Sequence, residues 1–154
     1  MEFESFWGSS NNKMQFQQAF IEWIMTNDIT EKPLFLGGAN KEDITSCYKV
    51  YDGNCTAQRF LKCTHEEADD RLLLHITHAI NIENFKNVIV ASSDTDILVN
   101  LIHHFLQWQY SDLQELWLLS GTRNNQQAIH VHDVVSQFDR TVLDVLPAVH
   151  SLTG

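Results

Sequence analysis

The period of apolar and polar positions changes along the chain and divides it into three blocks. In Met1–Asp28 the residues Phe16, Ala19, Phe20, Trp23 and Ile24 recur at helical spacing. This predicts a helix capped by Asn11 or Asn12, with the aromatic stripe packed on a core. In Thr30–Cys63 the turn signals Lys32–Pro33, Gly37–Gly38 and Asp52–Gly53 separate short apolar runs. Leu34–Leu36 and Tyr48–Tyr51 are the predicted strands, the second a hairpin arm ending at Asp52–Gly53. From Thr64 onward the pattern sharpens. Helices are predicted over Glu66–Ile80 and Ile97–Trp108, and strands over Val88–Ala91, Leu116–Leu119 and Ile129–Val131. Gly121–Gln127 reads as a polar loop, with helical pieces at Val134–Phe138 and Thr141–His150. Val88–Ala91 is a continuous apolar run, the pattern of a strand buried on both faces of a parallel sheet. Helix–strand alternation of this kind implies a Rossmann-like, layered α/β fold with a mainly parallel sheet.

Composition narrows the setting. The 154 residues suit one domain, and an apolar fraction of 44% is enough for a core. No apolar run approaches the ~20 residues of a membrane helix, so no membrane partner is expected. Met1–Asn12 is acidic and polar, unlike a secretory signal. With the odd count of cysteines (Cys47, Cys55, Cys63), this predicts reduced thiols and an intracellular location, nuclear or cytoplasmic. The formal charge of −10, with only ten scattered Lys and Arg, makes nucleic acid a weak expectation as partner. Bound metal or another segment would have to supply positive potential.

Two carboxylate clusters carry the candidate chemistry. In Thr64-His65-Glu66-Glu67-Ala68-Asp69-Asp70-Arg71, Thr64 and Glu67 have capping-box spacing, and Glu67 and Arg71 stand at ion-pair spacing. Acids in a first turn also suit the helix dipole. Asp69 differs, because it shares one helix face with Leu72, Leu73, Ile76 and Ile80. A carboxylate at the end of a core-facing stripe is costly to desolvate unless donors or a cation meet it. The second cluster, Ser92-Ser93-Asp94-Thr95-Asp96, follows a buried strand, the place where open α/β sheets hold their sites. One residue must cap the following helix, and the second Asp is surplus to that need. Oxygen-only clusters suit hard cations such as Mg²⁺ or Mn²⁺, which serve phosphoryl chemistry singly or as a pair.

At these clusters the chain resembles the flap-endonuclease-like branch of the PIN nuclease superfamily, in particular a divergent group associated with mobile elements in animal genomes. The resemblance rests on Glu67-Ala68-Asp69-Asp70-Arg71-Leu72-Leu73-Leu74-His75 and on Ser92-Ser93-Asp94-Thr95-Asp96-Ile97-Leu98. Ala148–Gly154 looks like the approach to the family's Gly-Cys-Asp motif. The match spans Thr64 to Gly154, within one PIN-like domain preceded by the helical segment of residues 1–28. It implies Glu67, Asp69, Asp94 and Asp96 as metal-binding, catalytic acids for Mg²⁺ or Mn²⁺. It also implies phosphodiester hydrolysis of DNA or RNA. Asp70 stands where the group more often has Thr. The family's first-strand Asp has no counterpart in Met1–Gly8, and the final Asp is absent. The chain is therefore expected to be an internal fragment or a degraded copy. The alternative is a nuclease-like fold without catalysis, an interaction module or mobile-element relic.

Other constellations are weaker. His75 and His78 at helical spacing, and His130 and His132 alternating along a strand, read as ordinary structural histidines. Asp94-Thr95-Asp96 also resembles the aspartyl-phosphatase pattern, without that family's other signature positions. The chain holds no P-loop, Gly-x-Ser-x-Gly or Gly-x-Gly-x-x-Gly motif.

Overall fold

The computed structural model describes residues 6, 8–27, 31–38, 43, 45–64, 68–121 and 125–153. It is a mixed α/β structure whose contacts gather into two compact units, Met1–Glu66 and Glu67–Gly154. Among the described residues no helix is long and apolar enough to cross a membrane.

In the first unit, helix α1 (Ser10–Asn27) begins one residue after Ser9. The Ser9 hydroxyl accepts from the Asn12 N–H at 3.4 Å, so the cap lies earlier than Asn11 or Asn12. Its buried residues are Ile21 and Ile24, whereas Phe16, Phe20 and Trp23 are each about half exposed. The expected core stripe is thus corrected. At 3.6 residues per turn the aromatic row lies roughly 100° around the helix from the buried isoleucines. Its rings stack on one another instead, with successive centroids 6.4 Å apart. Strands β1 (Leu34–Gly37), β2 (Cys47–Tyr51) and β3 (Asn54–Ala57) form an antiparallel sheet in that order. Asp52 and Gly53 both have positive φ, 50° and 67°, which is what a two-residue hairpin turn matching strand twist requires. Of the cysteines, Cys47 and Cys63 are buried and Cys55 is exposed on β3; none is in a disulfide.

The second unit runs α2 (Ala68–Asn81), β4 (Asn87–Ala91), α3 (Thr95–Trp108), β5 (Glu115–Ser120), β6 (Gln127–His130), α4 (Val131–Ser136) and α5 (Arg140–Thr153). β4 and β5 are parallel, and β6 returns antiparallel to β5. Each parallel strand is entered from a helix, so α2 and α3 run in the same direction. Their N-termini lie at the strands' carboxyl end. Val90, Leu116 and Leu118 on one sheet face pack with Ile97, Leu101, Ile102, Phe105 and Trp108 of α3 and with Ile76 and Ile80 of α2. Leu72 and Leu73 join them, so the apolar stripe expected next to Asp69 does face the core. Leu101 is 0% exposed, and truncating such a residue to Ala costs about 2–5 kcal/mol. The Trp108 indole N–H donates to the Thr77 hydroxyl at 3.2 Å, tying α3 to α2.

Candidate functional site

The second carboxylate cluster is held by a chain of short bonds. The Ser92 N–H donates to the Leu119 carbonyl at 3.1 Å, extending the β4–β5 ladder past its end. The Asp94 N–H donates to the Ser92 hydroxyl, and the Asp94 carboxylate accepts from the Asp96 N–H, both at 3.1 Å. Asp94 is therefore the cap of α3, and Asp96 sits in the helix's first turn, where the dipole favours a negative charge. Both carboxylates are exposed. The expected surplus acid is Asp96, which capping does not use.

Asp96 is met from the far end of the unit. His150 Nε2 lies 2.7 Å from its Oδ1; a carboxylate only accepts, so Nε2 carries the proton. This contact follows from helix register. Two turns further along α3, His103 Nδ1 lies 3.4 Å from the carbonyl oxygen of Leu143, two turns before His150 on α5. The two contacts define an antiparallel α3–α5 pair. Pro147 explains why the Leu143 carbonyl is open to a side chain. In a regular helix that oxygen would accept from the N–H of residue 147, which proline lacks. His103 supplies the missing donor and fixes the axial position of α5, and with it His150.

The first cluster is brought to the same end of the sheet but not onto Asp94 and Asp96. Glu67 lies outside the described residues. Asp69 is half-buried and Asp70 exposed in the first turn of α2. The Asp70 charge reaches His104, where it partly opposes burial, the main cause holding that imidazole below its ordinary value. His104 is eight residues along α3 from Asp96, about 12 Å at 1.5 Å per residue. The Thr77 hydroxyl meets Trp108 near the end of α3, and Asp69 lies eight residues before Thr77, so α2 starts beside the middle of α3 rather than beside its N-terminus. Among the described residues, no three His, Cys, Asp or Glu side chains form a group that could hold a metal ion.

The other histidines fall into two places. His75 is held below its usual value, first by burial, and His78 Nε2 lies 3.5 Å from Glu83, two residues past the end of α2. His130 and His132 do not alternate on a strand. β6 ends at His130 and α4 begins at Val131, which folds the two rings into a stack 4.9 Å apart. His130 contacts Asp133 at 3.0 Å through Nδ1 and Glu115 at 3.2 Å through Nε2, and it stacks on Trp117.

His150 is the residue that sequence reasoning missed as a site member. Its spacing from Leu143 matches that of Asp96 from His103, and Pro147 marks the open carbonyl. The pairing of these two sevens is visible only once α3 and α5 are known to be neighbours. Comparison with family models, with curated proteins and with solved structures found no match for this chain.

Proposed function

We propose that the second unit is a divalent-metal-dependent phosphodiesterase domain of the PIN, flap-endonuclease-like kind, acting on DNA or RNA. In this reading its sheet and helices are part of a Rossmann-like three-layer core. The observation that carries it is the Asp94–Asp96 turn at the carboxyl end of β4, secured to β5 and joined by His150. The donor set is hard oxygen, suited to Mg²⁺ or Mn²⁺. Each aspartate keeps a carboxylate oxygen beyond the one used in the bonds above. Asp94 and Asp96 would hold the cation, and Glu67 and Asp69 are the further ligands that the resemblance to PIN nucleases implies. A bound divalent ion supplies Lewis acidity to a phosphodiester and acidifies water. The chain's own contribution is placement: Asp94 fixes the turn, and His150 orients Asp96.

The test is cleavage of labelled single- and double-stranded DNA and RNA in Mn²⁺ or Mg²⁺. Wild-type chain should cut, and the Asp94→Asn, Asp96→Asn pair should not, with an unchanged circular dichroism spectrum. Equal cutting by both proteins would refute the assignment.

A second reading has its own support. His150 already engages Asp96, and the formal charge of −10 disfavours a polyanion. A nuclease-like module without catalysis would show neither cleavage nor Mn²⁺-dependent stabilisation.

A further inference from the structure

The two faces of the second unit's sheet differ. Val88, Val90, Leu116, Leu118 and Ile129 point into the helix-covered core. The strand register puts Ile89 beside Trp117, Trp117 beside His130, and Ala91 and Ala128 beside Leu119 on the other face. None of Ile89, Ala91, Trp117, Leu119 or Ala128 belongs to that core. Ile89 is 66% exposed, Ala91 and Ala128 are exposed, and Trp117 and Leu119 are half-buried. Strands of a parallel pair are ordinarily covered on both faces. The run Val88–Ala91 carries no polar alternation to suit one face to water. Among the described residues, no helix of this unit packs on that face.

The charge at its margin selects what would fit. Glu115 shares this face and is about half exposed, its Oε2 accepting from the Trp117 indole N–H at 2.8 Å. The Asp133 carboxylate, 76% exposed, stands across His130 from it. His130 lies between these carboxylates and stacks on Trp117, and a cation arriving at their exposed oxygens meets two negative charges. From Glu67 to Gly154 the chain holds eleven Asp and Glu against four Lys and Arg. A second copy would bring the same negative field to the contact and be repelled, whereas a basic partner would be attracted.

We propose that this face docks a basic amphipathic helix of a partner protein. The partner's apolar side would lie on Ile89, Trp117 and Leu119, and its Lys or Arg residues on Glu115 and Asp133. This inference does not depend on metal chemistry at Asp94 and Asp96; the partner's helix would occupy the side of the sheet where the three-layer reading expects helices.

The probes are three synthetic 18-residue peptides titrated by calorimetry into the full chain at low salt. One is a Leu/Lys amphipathic helix. The second has the same apolar side with Glu in place of Lys. The third has the first peptide's composition in an order without an apolar side. The Leu/Lys helix should bind, and the other two should bind at least about tenfold more weakly. The exposed substitution Ile89→Asp should weaken the Leu/Lys helix by a similar factor, while Val149→Asp on the exposed side of α5 should not. Thermal melting would verify that both variants are folded. Undiminished binding to Ile89→Asp, loss of binding in Val149→Asp, or equal binding of the Glu peptide would overturn the proposal. So would sedimentation showing that the free chain is a dimer that Ile89→Asp dissociates, since the face would then belong to a second copy.

Discussion

Replacing His103 by Ala removes the side-chain donor to a carbonyl that Pro147 leaves without its helical partner. Leu143 is only 2% exposed, so water is a poor substitute. A buried carbonyl stripped of its donor costs about 1–3 kcal/mol. Ala gains back roughly 0.5 kcal/mol of helix propensity over His, which leaves a net loss of about 0.5–2.5 kcal/mol. Pro147→Ala acts in the opposite direction. It restores an N–H to Leu143 and removes a helix-interior proline, a residue that costs about 3 kcal/mol where nothing accommodates it. In that background the carbonyl no longer needs His103, and His103→Ala should cost no more than about 0.5 kcal/mol. The coupling between the two substitutions is then on the order of 1 kcal/mol. Urea unfolding of the four proteins, followed by circular dichroism and tryptophan fluorescence, would measure it. An equal cost of His103→Ala in both backgrounds would refute the account of α5's placement, and with it the reason His150 reaches Asp96.

Further expectations follow from individual sites. Gly121, at φ +90° just after β5, has no room for a Cβ against the Asn125 carbonyl, so Gly121→Ala should destabilise by at least about 1 kcal/mol in thermal melting. Burial is the first cause holding His75, His104 and His132 below the ordinary 6.5. Their folded state binds fewer protons than the unfolded chain, so the stability they allow is present above pH 6.5 and declines as pH falls below it. Urea titrations at stepped pH should show this decline, and His75→Gln with His104→Gln should flatten it. The Asp43 carboxyl is held below 3.8, first by the Thr45 hydroxyl and then by Lys62 at 2.9 Å. Its contribution should therefore persist above pH 3.8 and fade below it, and Lys62→Met should raise its NMR titration midpoint.

Much of the local structure was readable without coordinates, because it depends on local rules. Asp52–Gly53 can only turn a hairpin in the mirror-type conformation that its two positive φ values show. Val88–Ala91 and Leu116–Leu119 are apolar without alternation, and both are strands, but Val88–Ala91 is not buried on both faces as expected: Ile89 is 66% exposed. Asp94 was legible as a cap candidate and Asp96 as the surplus acid. What escaped depends on contacts between distant segments. The row Phe16, Phe20 and Trp23 has helical period, but periodicity identifies an apolar side without saying that anything covers it. The strand expected at Ile129–Val131 gives way to a helix at Val131, because that residue, 0% exposed, anchors α4 in the core. His150 reaches Asp96 only through the α3–α5 register, which no single segment encodes. Asp69 showed itself as an acid on an apolar stripe, yet its distance from the second cluster is set by how far α2 is shifted along α3.

The most direct test is Mn²⁺-induced broadening of backbone amide signals in the ¹⁵N spectrum at sub-stoichiometric metal. The account predicts selective loss of the Ser93–Leu98 signals and of those flanking His150, abolished by Asp94→Asn with Asp96→Asn. Broadening spread evenly over exposed acids such as Asp112, Asp139 and Asp144, or unchanged in the double variant, would contradict it.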